Sequence, residues 1–472
     1  MTERRAPLLW ARMLGLSLWT GVAAAAPLEE GALIDVLDGR QPAVQMVAAE
    51  LDRAAGQALG AAGTFDLKIK SKADSAIAGA YDWAAVEVAA EQQLPAYGAL
   101  LSVGWRTGQG ELPIYYLDKQ TTEGGELFMG LVLPILEGGR TDAGRTSIGV
   151  AAEEQRAAQA RARIVQIELQ AAARTAYWSW VASVAKLRVA EELLVVAESR
   201  ASAIQARIDG GDLPPLAALD NRRAVLERAA EVANLRQKVR QSAVKLSLYW
   251  RDPTGAPLPP DDADAPGSPA PPTPEHEPVE ALLAEAEQRR PEINELDALV
   301  KQIDAQLLLA KTERAPSLDL VGRAAQDLGE GDAKLQKPEL VVGLRLESPV
   351  QLRKARGKID ELEAKRASLV AKQRLARDKI RAEVLSAMAT VEATAAAYRF
   401  AQEGAAAATQ LADGERARFS AGDTELLTVY LREQSSAKAA GDRVDALATW
   451  HSALAELDAA VGRCAASPLA AP

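Results

Sequence analysis

The stretch Arg418 to Gln434, RFSAGDTELLTVYLREQ, has an earlier echo at Arg207 to Arg223, RIDGGDLPPLAALDNRR. Aligned, the two share Arg207 with Arg418, Gly211 with Gly422, Asp212 with Asp423 and Leu216 with Leu427, and place bulky apolar residues at Ile208/Phe419 and Leu219/Tyr430. Each copy closes one long proline-free stretch and opens another. From Thr141 to Asp209 there is no proline, and between Gly149 and Gly210 no glycine. This predicts a single helix of roughly 60 to 70 residues, on the order of 100 Å long. Its apolar positions Ile164, Ile167, Ala171, Trp178, Val181 and Ala185 keep a 3-4 spacing interrupted at Arg174, the pattern of a narrow coiled-coil-like seam.

A second stretch, about Lys354 to Phe419, repeats the design with Ile380, Val384, Ala387, Val391, Thr394, Tyr398 and Ala401 on one stripe. Returning helices are expected over about Leu216 to Trp250 and Glu425 to Val461. Gly210, Gly211 and Gly422 give the backbone freedom to reverse, and Asp212 and Asp423 are expected to cap the returning helices. The repeated phrases therefore read as the tips of two long helical hairpins.

The repetition extends upstream. GLVLPILEGGRTDAGR, Gly130 to Arg145, matches GLRLESPVQLRKARGK, Gly343 to Lys358. Here strand patterning gives way to helix. Apolar residues alternate with polar or small ones in Thr64 to Lys70, in Tyr97 to Arg106, at Leu127, Met129, Leu131 and Leu133, at Leu318 and Leu320, and at Leu340, Val342, Leu344 and Leu346. Period two with one apolar face is a strand signature. Helices are expected over Ala43 to Ala61, about Val279 to Arg290, and from Glu292 to a stop ahead of Pro316.

Residues 1–26 carry Arg4, Arg5 and Arg12, then an apolar run from Met13 and alanines at 23–26. They read as a cleaved secretory signal peptide, the run being shorter than the ~20 residues of a spanning helix. The organisation expected is thus 1–26 signal peptide, 27–251 first repeat, 252–278 linker, 279–462 second repeat and 463–472 tail. The linker is rich in proline and acid and reads as an unpacked tether.

Aromatics make up only 4% of the 472 residues, which favours extended helices over a conventional globular core. The net charge of -10 argues against nucleic-acid binding, which needs a concentrated basic surface. Cys464 stands alone, and His276 and His451 form no cluster of metal-site spacing; His451 reads as structural. Nucleophile-elbow, phosphate-loop and dinucleotide signatures are missing, and the glycine pairs Gly124/Gly125 and Gly138/Gly139 read as turns. The expectation is a protein that is not an enzyme and has no cofactor or metal. A few strands per half leave open edges, so lipid-facing strands require several chains to close one barrel. A coiled-coil scaffold in the periplasm or on the cell surface is the alternative.

In their order and spacing, the duplicated half, the RPEI helix entry followed by APSLDL, the passage LVLPILEGGR and the tip RFSAGDTELLTVYLREQ resemble the TolC-type outer-membrane efflux protein family, the outer membrane factors. The resemblance covers nearly the whole chain after the signal peptide. It implies a mainly α fold with a small β part: duplicated long hairpins forming a trimeric helical tunnel, capped by an oligomeric β-barrel in outer-membrane lipid. It further implies a passive export duct, a homotrimer whose tips meet a periplasmic adaptor linked to an inner-membrane pump, in tripartite efflux or type I secretion. Carried over, Arg207, Gly211, Asp212, Arg418, Gly422 and Asp423 are the adaptor-docking tips, and Leu216, Leu427 and Tyr430 pack the returning helices. The same side chains could do no more than form the turns. Family members can narrow the tunnel mouth with aspartates beyond the tip glycine, where this chain has Thr428 and Leu431. Phe65, Tyr81, Trp83, Tyr97, Trp105, Tyr115, Tyr116 and Phe128 are expected to supply interfacial aromatics, while Ser317 to Glu347 has none.

Overall fold

The computed structural model describes residues 27–113, 119–136, 141–267, 270–273, 277–348 and 350–463. The expected signal peptide, Tyr115, Tyr116, the Gly138/Gly139 pair, His276 and Cys464 lie outside the described residues. The first half runs α1 (Glu30–Arg40), α2 (Pro42–Ala62), β1 (Lys68–Ser75), β2 (Trp83–Gln93), β3 (Leu100–Gly110), β4 (Glu126–Pro134), α3 (Ala143–Asp209) and α4 (Leu216–Leu246). The second runs α5 (Val279–Arg289), α6 (Pro291–Thr312), β5 (Ser317–Asp327), β6 (Glu339–Glu347), α7 (Arg353–Ala421) and α8 (Leu426–Val461). Two hairpins of unequal arms, α3–α4 and α7–α8, extend from a shared sheet.

The 67 residues of α3 span about 100 Å at the usual helical rise. Its start is fixed by Asp142, whose carboxylate accepts the Arg145 backbone N–H at 2.7 Å and the guanidinium at 2.6 Å. Burial on α3 is wider than the expected seam. Ile167, Trp178 and Val181 are buried, but so are Ala173, Tyr177, Trp180, Val184 and Leu187. The reason is that α2, α4, α6 and α8 all pack on this helix along its length. On α7 the stripe is narrower and follows the sequence, with Ile380, Val384, Ala387 and Tyr398 buried. Arg174, the interruption in the seam, is held between Glu30 of α1 and Asp458 of α8. Burial works against its charge, but the two carboxylates outweigh it and raise its pKa.

The main core joins Trp178, Trp180 and Leu187 of α3 to Leu33 and Leu37 of α1 and to Leu235, Val239 and Leu246 of α4. His451 of α8 stacks on Trp178 with ring centroids 3.5 Å apart and planes 8° from parallel, a packing role. Burial lowers the His451 pKa. The proline-rich segment is not an unpacked tether. Ala265 lies in this core, Leu28 donates its N–H to the Asp264 carbonyl at 2.8 Å, and Arg188 donates to the carbonyls of Asp262, Ala265 and Pro266. The segment forms a short 3-10 turn, Asp262–Asp264, has three further carbonyl contacts from one arginine and packs a small side chain into the core.

Among the described residues six strands form one sheet in the order β1-β2-β3-β4-β5-β6, every neighbouring pair antiparallel. Two strand expectations are corrected. The strand expected over Thr64 to Lys70 starts at Lys68, because Gly63–Phe65 form a turn of 3-10 helix. A strand not among those expected, β2, pairs with both β1 and β3.

Candidate functional site

The sheet separates two chemistries. In register across the strands, one face carries Ile69, then Val86 and Val88, then Leu101, Val103 and Trp105, then Leu127, Met129 and Leu131, then Leu318 and Leu320, then Leu340, Val342, Leu344 and Leu346. Most of these side chains are open, Ile69 and Leu340 each 76% exposed and Leu344 69%, while Leu101, Trp105, Leu318 and Leu320 are half-buried. The opposite face is charged. Glu126, almost wholly buried, takes Arg106 of β3 at 2.6 Å and Arg323 of β5 at 2.8 Å, and Lys70 pairs with Glu91 at 2.6 Å. Five strands have 9 to 11 residues and β1 has 8, close to the ~9–11 residues of a tilted membrane-spanning strand.

The aromatics divide between the faces. Trp105 lies on the apolar face. Trp83 and Phe128 lie on the charged face, Trp83 under Lys119 at 4.5 Å and Phe128 under Arg323 at 4.9 Å. Phe65 belongs to the 3-10 turn beside Gly144 at the base of α3. Those three do not lie on the apolar face of the sheet. Tyr81 and Tyr97 are exposed in the turns between strands.

At the far end of the hairpins the two tips are built alike. The N–H of Asp212 bonds the Arg207 carbonyl at 2.8 Å and that of Gly211 the Ile208 carbonyl at 3.0 Å. In the second tip Asp423 bonds Arg418 at 2.9 Å and Gly422 bonds Phe419 at 3.1 Å. Gly211 and Gly422 both have φ of +84°. This is the left-handed helix terminus in which glycine reverses the chain and two carbonyls are satisfied at once. Gly210, at φ -79°, is ordinary helix.

Two tip expectations are corrected. Asp212 and Asp423 do not cap the returning helices: the residues before α4 and α8 are Pro215 and Glu425, neither with a side-chain cap bond. The aspartates contribute their backbone N–H groups to the preceding helix terminus, and their side chains are exposed. Leu216 and Leu427, 62% and 55% exposed, do not pack the returning helices; Ala217, Leu426 and Val429 do. Tyr430 is buried, and its hydroxyl donates to Asn221 Oδ1.

The structure brings the two tips together. Ile204, Ile208, Leu213, Phe419 and Leu426 share one cluster, and Arg207 lies over the Phe419 ring at 5.0 Å. Arg418 instead folds back, reaching Glu415 at 3.3 Å and the Asp423 carbonyl at 3.3 Å. Above the tips sits a node the sequence did not reveal. The Glu433 carboxylate, fully enclosed, is bound by Arg200 of α3, Arg228 of α4 and Arg416 of α7. One acid thereby fastens all four long helices. Burial pushes its pKa up, but the three arginines outweigh that and hold it below the ordinary glutamate range.

A family model described as outer membrane efflux protein matches residues 83–250 and 282–463. Among curated proteins no sequence matches. Solved structures are similar over most of their length. A membrane protein from Pseudomonas aeruginosa is 18% identical, covers 92% of this chain and 93% of its own, and has a TM-score of 0.64. The outer membrane protein VceC from Vibrio cholerae is 16% identical, with coverage of 92% and 96% and a TM-score of 0.63. The open MtrE outer membrane channel of Neisseria gonorrhoeae is 17% identical, with coverage of 93% and 89% and a TM-score of 0.64.

Proposed function

Because the chain belongs to the outer membrane efflux protein family, we propose that it is a passive export duct: a homotrimer with its sheet in outer-membrane lipid and its helices forming a tunnel in the periplasm. The carrying observation is the sheet, whose apolar face is exposed on β1, β2, β3, β4 and β6 and half-buried on β5, while its two edges, β1 and β6, have no partner strand among the described residues. An exposed apolar face and open edges are costly in water, and lipid together with other copies removes both costs.

The tips are the surface for a periplasmic adaptor that couples the duct to an inner-membrane pump. The repeated geometry supports this reading, since it presents Asp212 and Asp423 outward on two matched turns held side by side. Residues 1–26 serve as the export signal in the same scheme, and the organisation into repeats 27–251 and 279–462 gives each copy two hairpins for the tunnel wall. The experiment is a paired replacement, Asp212→Lys with Asp423→Lys, in cells that depend on export. The expected result is lost export and lost adaptor cross-linking with unchanged amounts of assembled protein in the outer membrane. Normal export and cross-linking would remove the docking role.

A further inference from the structure

We infer that each copy supplies six strands to the barrel, so that three copies close an eighteen-stranded sheet through seams between β1 of one copy and β6 of the next. This rests on the trimeric reading above and goes beyond it in strand number, seam and pore size. Three observations carry it.

The first is parity. With six strands alternating in direction, β1 and β6 run antiparallel to each other. A β6 edge laid beside the next copy's β1 edge continues the antiparallel ladder around the ring. If β1 stayed outside, β2 would meet β6 in parallel, the less stable pairing. Leaving out both β1 and β2 would restore parity, but it would strip from the barrel a hairpin that is paired to β3 over the whole length of β2.

The second is the faces. Ile69 and Ala73 of β1, with the small Ser71 between them, continue the apolar face through Ala90, Val88 and Val86. Nothing in the register turns β1 or β2 away from the lipid-facing band. One slipped residue would reverse every side chain.

The third is charge at the seam. On the charged face β1 presents Lys68, Lys70 and Lys72, while β6 presents Glu339, Arg345 and Glu347. Lys68 opens β1 and Glu347 closes β6, both at the end of the sheet nearest the helices, so the antiparallel seam brings them to the same level. Opposite charges across neighbouring strands stabilise pairing. The same level sets Lys70 opposite Arg345, but Lys70 is already paired with Glu91 of β2 at 2.6 Å, so the favourable contact of the seam is Lys68 with Glu347. Barrels of about 16 to 18 strands leave an aqueous channel. Lined by Arg106, Glu126 and Arg323, this one passes hydrated solutes.

The test uses the full chain with Cys464→Ser, purified from outer membranes, and cysteine pairs across the candidate seams. Lys68→Cys is combined in turn with Gly343→Cys, Arg345→Cys and Glu347→Cys; Ser102→Cys on β3 is combined with Glu347→Cys as the rival seam. Native mass of each sample is measured before oxidation. Expected are trimers whose β1–β6 pairs, in at least one register, become covalent dimers and trimers, while the β3–β6 pair stays monomeric under denaturing conditions. Charge reversal at Lys68→Glu should lower the temperature at which the trimer dissociates, and adding Glu347→Lys should restore it. Trimers that cross-link through β3, or through no β1–β6 register, overturn the eighteen-stranded seam and leave the duct standing. Samples that are not trimers overturn both.

Discussion

Glu433 of α8 and Arg228 of α4 lie 2.9 Å apart with the carboxylate fully enclosed, although their helices otherwise scarcely meet. With Arg200 and Arg416 on the same acid, this contact adds a tie among all four long helices to the packing of α8 on α3. Removing the acid leaves three cations facing one another.

Glu433→Ala is therefore expected to destabilise the helical part by about 3–5 kcal/mol, the usual cost of leaving buried charges unpaired. Chemical denaturation followed by circular dichroism measures it. Lys438→Ala, which breaks an exposed pair with Asp442 on the same helix, should stay within about 0.5 kcal/mol of the parent. Equal effects of the two changes would show that the node holds nothing.

The same carboxylate sets an acid limb. Its pKa is lower in the folded chain than in the unfolded one, so the unfolded state binds the proton first as pH falls. The stabilisation is complete above the ordinary glutamate pKa and is lost as pH falls through the depressed folded value. Protease cleavage at the tips should thus be flat through neutral and mildly acidic pH and rise below the glutamate range. Glu433→Gln should flatten that rise, and an unchanged acid limb in this variant would assign it to other groups.

Adjacent glycines at the first tip should respond differently. Gly211→Ala forces a side chain into the left-handed region and should cost about 1–2 kcal/mol. Gly210→Ala sits in helical geometry with ordinary contacts to its surroundings and should be neutral or stabilising by a few tenths to about 1 kcal/mol. Thermal melting of the two variants separates them, and equal losses would contradict the turn geometry.

Deleting residues 257–272 should lower stability, not leave it intact, because Ala265 leaves the core and Arg188 loses three carbonyl acceptors. Arg188→Ala should lower the melting temperature in the same direction by a smaller amount. A deletion variant that melts with the parent would restore the reading of this segment as a tether.

These outcomes also mark what the sequence made legible. The hairpins are legible because no proline falls inside the four long helices, and the tip is legible because its backbone demands glycine twice at the same place. Which helix the aspartates serve could not be read, since an aspartate after glycine suits either the end of one helix or the start of the next. Leu216 and Leu427 were misplaced because the returning helices bury Ala217 and Leu426 instead, a rotation of one residue that side-chain size does not announce. In β2 the alternation of Ala84, Val86, Val88 and Ala90 with Glu87 and Glu91 was present, but alanine on both faces weakens the period-two contrast. The Glu433 node joins residues from four helices, and no local pattern in the sequence brings them together.

The central claim is that several copies complete what one chain leaves open, and native mass spectrometry of the protein extracted from outer membranes in mild detergent tests it most directly. Three chains per particle, with the β1 and β6 backbone amides protected from hydrogen exchange, is the result the account predicts. A stable single chain whose β1 and β6 amides are protected would contradict it.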